Sequence, residues 1–142
     1  MDIKFNQSVI KISSKLFVAL KQSIKQQGIK GDVSQITFNY RDSSYSSEQG
    51  GYHPVEISLQ KDVTDGRWSV LYITDFCYYG HPYAELTKEL DFDFSLATFS
   101  TTYSQPRAIT HASVKDIFTL WQHNFLSYLE YGAFDQIKVS SW

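Results

Sequence analysis

The sequence predicts an α+β domain, an antiparallel sheet flanked by an N-terminal and a C-terminal helix. Three observations carry this. Apolar residues recur at the helical period near both ends, they alternate at period two through the middle, and no helical pattern separates the alternating stretches. Strands joined only by loops cannot make the crossovers of a parallel sheet, so neighbours must run antiparallel. The 142 residues suit one domain, 1–142, and a composition of 42% hydrophobic and 20% charged residues excludes a disordered chain.

The first helix is expected from about Ser8 to Gln27. Val9, Leu16, Phe17, Leu20 and Ile24 share one arc, Lys11, Lys15, Lys21 and Lys25 lie opposite, and Gly28 supplies the left-handed residue that closes it. From Gln35 the period becomes two. Ile36, Phe38 and Tyr40 alternate with polar residues, followed by Val55, Ile57 and Leu59. In the next run Trp68, Val70 and Tyr72 take one face, with Leu71 and Ile73 on the other. Then come Leu90, Phe92, Phe94 and Leu96 against Glu89, Asp91, Asp93 and Ser95, and a shorter run from Thr98 to Tyr103. Thr64-Asp65-Gly66 is a hairpin turn by composition. After Pro106 the helical period returns with Val114, Ile117, Phe118, Trp121, Phe125, Tyr128 and Leu129; Thr110 or Ser113 caps the start and Gly132 ends it. The tail from Gln136 to Val139 alternates and is expected to add an edge strand.

The formal net charge is −2, so there is no global basic field for a nucleic acid or an anionic membrane. The charge is unevenly placed: residues 1–30 hold six lysines against Asp2 alone, whereas the remainder holds seven bases against fourteen acids. The single cysteine, Cys77, excludes an internal disulfide and every zinc pattern built on cysteine pairs. With no apolar span and no export signal at the start, a cytoplasmic protein is expected.

Two segments are rich in turn formers and tyrosine, Arg41–Glu56 (RDSSYSSEQGGYHPVE) and Asp75–Glu85 (DFCYYGHPYAE). Both are read as loops, and each contains a His-Pro pair followed by a glutamate. If they meet at one end of the sheet, His53, His81, Glu56 and Glu85 converge into a set that a divalent metal accepts, and a metal-assisted hydrolase or small-ligand enzyme becomes the alternative function. Cys77 has Asp75 and His81 near it in sequence, but a cysteine ending an apolar strand reads as a small buried hydrophobe. Asp91 and Asp93 lie on the solvated side of an amphipathic strand, where they form an acidic stripe suited to a basic partner. The sequence has no dinucleotide-binding glycine motif, P-loop, nucleophile elbow, EF-hand or zinc-finger spacing.

The runs ITFNYRDSSYSSEQGGYHPVEISL, YITDFCYYG, AELTKELDFDFS and LWQHNFLSYLEYGAF together resemble the domain of unknown function 2787 family, small gamma-proteobacterial proteins often carried in genomic islands. The resemblance implies a twisted antiparallel sheet, similar in fold to the mitochondrial acidic matrix proteins that bind complement heads, and brings no catalytic residues. Together these readings give a sheet of five to seven strands flanked by two helices, in a non-enzymatic interaction module. The binding residues expected are Tyr52, His53, Glu56, Tyr79, His81, Glu85, Asp91 and Asp93. The expected partner is another protein, with a second copy of the chain as an open alternative; no cofactor, membrane or nucleic acid is expected.

Overall fold

In the computed structural model, which describes residues 2–142, the elements run α1 (Ser14–Gln26), β1 (Gln35–Arg41), β2 (Val55–Lys61), β3 (Trp68–Tyr79), β4 (Glu85–Asp93), β5 (Thr98–Thr101), β6 (Arg107–Ala108), α2 (Ala112–Glu130) and β7 (Gln136–Ser141). All strands join one antiparallel sheet in the order β6-β5-β4-β3-β2-β1-β7. The first six strands form a meander, and α2 carries the chain back from the β6 edge to the β7 edge. Its length fits that task. Nineteen residues make a helix of about 28 Å, and the six strand spacings between those edges amount to about 29 Å.

Both helices cover the same face of the sheet. Leu16, Leu20 and Ile24 of α1 and Val114, Phe118 and Phe125 of α2 close over Ile36, Phe38, Ile57, Ile73 and Phe92 in one continuous core. Tyr40 is also fully buried there. Its hydroxyl meets Ser23 Oγ at 2.9 Å, and burial pushes its pKa up to about 12.

Three expectations are corrected. The first helix starts at Ser14, capped by the Ser13 side chain, because the residues before it are used differently. Asn6 N–H donates to the Trp68 carbonyl and Trp68 N–H to the Lys4 carbonyl, each at 2.8 Å, so this segment lies extended beside β3 and Val9 is 50% exposed. The second helix is capped by His111, whose Nδ1 accepts from Ser113 N–H at 3.1 Å, in place of Thr110 or Ser113. The segment Asp75–Glu85 is mostly strand: β3 continues to Tyr79 and β4 begins at Glu85, leaving a short turn with a cis His81-Pro82 bond.

Two irregularities reset which side chains face inward. The β2–β3 register shifts after Ser58, leaving Leu71 without an opposite residue. Trp68, Val70 and Ile73 therefore share the core while Tyr72 moves to the open face, contrary to simple alternation. Likewise β4 ends at Asp93, so Leu96 falls in the turn to β5, 71% exposed, and is not a core residue. The prediction is a contrast between two residues of one sequence pattern. Phe92→Ala should cost about 3–5 kcal/mol in chemical denaturation and Leu96→Ala less than about 0.5 kcal/mol; equal losses would contradict this packing.

Candidate functional site

At the end of the sheet where β2 begins, a cavity of about 270 Å³ lies between α2 and β2–β4. Tyr52, Trp121, Phe125, Tyr128 and Phe134 give it an aromatic side, and His53, Asp75 and Glu89 form a polar corner.

Local structure explains how each group arrives. Asp42 folds the segment before β2, its Oδ1 accepting from Ser44 N–H at 3.0 Å and its Oδ2 from Tyr52 N–H at 3.1 Å. Gly51 is required at this closure, since its φ is +137° and a Cβ there would lie 2.9 Å from Asp42 Oδ2 and 3.0 Å from Tyr45 Cα. His53 is then delivered onto the sheet beside Asp75. Asp75 pairs with Val55 on β2 and projects from the covered face, as do Ile73 and Cys77. Glu89 arrives by a second bulge: the β3–β4 register shifts between Asp75 and Phe76, so Glu89 has no opposite residue. Regular alternation would send it to the face opposite Leu90. The bulge turns it toward His53.

The three side chains are 37%, 13% and 32% exposed for His53, Asp75 and Glu89. His53 Nδ1 lies 2.9 Å from Asp75 Oδ1 and 2.8 Å from Glu89 Oε2. The other Asp75 oxygen, Oδ2, accepts from Trp121 Nε1–H at 3.0 Å. The hydrogen bond to Asp75 holds the His53 pKa above its ordinary value, against the opposing effect of burial. Cys77 sits behind this corner, and burial pushes its thiol up to about 11, with Glu89 adding to the shift. A thiol so far above neutrality is not a nucleophile at physiological pH.

The expected ligand set does not assemble. His53 is at the cavity, but its neighbours are Asp75 and Glu89 in place of His81, Glu56 and Glu85. Glu56 is on the open face, where Tyr72 Oη–H donates to it at 2.5 Å. His81 lies in the exposed β3–β4 turn, and Glu85 opens β4 opposite Tyr79, four residue pairs beyond Asp75. The two tyrosine-rich segments do meet, through Tyr45: its ring lies 5.2 Å from Tyr78 and its hydroxyl accepts from Tyr78 N–H at 3.1 Å. Tyr79 packs on Tyr103 instead, with ring centroids 5.6 Å apart. Asp91 and Asp93 share the open face as expected, where Asp91 accepts from Thr74 at 2.8 Å; Asp93 accepts from Ser95 at 2.6 Å. Sequence reasoning missed Glu89, assigned to a solvated strand face, and Trp121, assigned wholly to core packing. No periodic signal marks a bulge.

Residues 14–140 match the family model described as protein of unknown function, DUF2787. The chain belongs to this family. A hypothetical protein from the VSP-II pathogenicity island of Vibrio cholerae is similar over 99% of this chain and 100% of its own, at 33% identity and a TM-score of 0.92. A conserved hypothetical protein from pathogenicity island VPI-2 of the same species is similar over 96% of this chain and 99% of its own, at 36% identity and a TM-score of 0.84. The latter is described as sharing structural homology with the human P32 protein, in line with the fold likeness inferred from the sequence. No curated protein matches the chain. Among the described residues no helix is long and apolar enough to cross a membrane.

Two outcomes test this geometry. Trp121→Phe keeps the ring packing but removes the donor to Asp75, and should destabilise the fold by about 1.5–3 kcal/mol in urea titration; a loss below about 0.5 kcal/mol would mean that the bond contributes nothing. Iodoacetamide at neutral pH should leave Cys77 unmodified in the native chain and alkylate it rapidly once the chain is unfolded.

Proposed function

We propose that this protein is a non-enzymatic interaction module that docks another protein at the mouth of the α2–sheet cavity, admitting one bulky apolar side chain of its partner. The observation that carries this reading is the cavity itself. Its 270 Å³ lies at the small end of the roughly 300–1,000 Å³ of ordinary small-molecule and cofactor sites, a size that seats one aromatic or branched side chain. Its walls are aromatic, the chemistry of interface anchor pockets. Tyr45, Tyr52 and Tyr131 extend that surface toward solvent, and the Tyr52 and Tyr131 hydroxyls lie 3.4 Å apart at the rim. The site also lacks a paired nucleophile and base: Cys77 is buried with its pKa raised, and Tyr131 is raised to about 12 by its contact with Tyr52.

The acidic stripe of Glu56, Asp91 and Asp93 is secondary in this proposal, because each carboxylate already accepts an internal hydrogen bond. A cytoplasmic setting is part of the same proposal, supported by a lone, buried and unpaired cysteine.

Peptides selected by surface display against the immobilised chain test it. They should carry a bulky apolar anchor and lose at least about tenfold in affinity against Tyr52→Ala, with circular dichroism confirming that the variant is folded. Selected peptides that bind this variant unchanged, but lose affinity to Asp91→Asn with Asp93→Asn, would move recognition to the open face and overturn the proposal.

A further inference from the structure

The polar corner of the cavity has a composition that an apolar docking pocket does not need. Three donor atoms from three separate strands or loops, one each from His53, Asp75 and Glu89, lie within 4.8 Å of one another. We propose that these three side chains bind a divalent first-row transition-metal ion, with coordination positions left open toward the cavity.

Proton counting is the first reason. A single Nδ1–H faces Asp75 Oδ1 at 2.9 Å and Glu89 Oε2 at 2.8 Å; one proton cannot lie on both lines, so two carboxylates compete for one donor. Two carboxyl groups and one imidazole therefore crowd a partly desolvated corner. A divalent ion replacing that proton neutralises both carboxylates and serves all three donors at once. The second reason is spacing. Donors about 2.0–2.2 Å from a metal are about 3–3.5 Å apart when adjacent in its coordination sphere, close to the 2.9 and 2.8 Å that separate Nδ1 from the two carboxylate oxygens, and the three donors lie within 4.8 Å of one another.

Support behind the donors is the third. Trp121 Nε1–H holds Asp75 Oδ2 at 3.0 Å, leaving Oδ1 for the cluster in the manner of an outer-shell partner that orients a ligating carboxylate. The bulge at Glu89 is the fourth, because regular pairing would have turned that carboxylate to the opposite face. One imidazole with two carboxylates selects the zinc and manganese class over calcium, which takes six to eight oxygen ligands. The ion would pin the Tyr52-bearing segment to the sheet. This inference stands whether or not a partner docks.

Isothermal titration of the chelator-treated chain with Zn²⁺ alone, and absorption spectroscopy with Co²⁺ as a geometric probe, decide it. The expected result is one saturable site, weakened at least about tenfold by Trp121→Phe and further by Asp75→Asn or Glu89→Gln, and unchanged by His81→Ala, His111→Ala and His123→Ala. Glu89→Gln introduces no new cavity and serves as the variant least open to misfolding. The absence of saturable binding to the folded chain would overturn the proposal. So would binding that survives Asp75→Asn and Glu89→Gln but is lost with the other histidines. Because no peptide is present, neither result depends on the docking proposal.

Discussion

Among the described residues both helices cover one face of the seven-stranded sheet, and most of the molecule's arrangement follows from that. Two helices on that side, with Ile3, Ile10 and Ile12 of the N-terminal segment, close over the apolar core, so inward-facing positions have to remain in phase from strand to strand. An uninterrupted alternation does not achieve this, since β3 carries apolar residues of both parities. The bulge at Leu71 corrects the phase, keeping Trp68 and Val70 in the core with Ile73 and Phe92. The same covered face obliges α2 to span the sheet from edge to edge. Where β3 and β4 run past the start of β2, α2 and the sheet no longer close completely, and the cavity opens there.

Asp75 is the price of using that location. It projects from the covered face between Ile73 and Cys77, where an unpartnered carboxylate would cost several kcal/mol. Trp121 on α2 and His53 from the segment before β2 supply its partners. One carboxylate thereby ties together three parts of the chain distant in sequence. The dependence is reciprocal: without Asp75 the His53 segment loses its anchor on the sheet and Trp121 loses its acceptor. The short-range devices at Asp42 and Gly51 shape this segment, but they do not attach it to the core.

Much of the fold was legible because burial imposes period two on strands and period 3.6 on helices. Ile36, Phe38 and Tyr40, or Val114, Phe118 and Phe125, announce their elements without any knowledge of neighbours. Events that depend on register were not legible in the same way. Leu71 and Glu89 look like ordinary alternating residues, and only the pairing with the adjacent strand makes them bulges. The candidate site was half visible for the same reason. His53 stood out through its tyrosine, glycine and proline surroundings, but its partners come from opposite sides of a hairpin. The matching His81-Pro82 pair misled by local similarity: Pro54 leads directly into β2, whereas Pro82 sits in the turn beyond the end of β3.

The open face and the cavity differ in how their polar groups are matched, which is why the latter is the stronger site. On the open face Thr37 and Ser58 hydroxyls meet at 3.2 Å, Tyr72 donates to Glu56 and Thr74 to Asp91. Ser58 and Thr74 are buried among these neighbours on the face away from both helices. Such pairing solvates a sheet face from within and leaves few strong donors or acceptors in search of a ligand. At the polar corner of the cavity, two carboxylates converge on one ring nitrogen beside an aromatic wall, so acceptors outnumber donors. A ligand gains most where it corrects an imbalance of that kind.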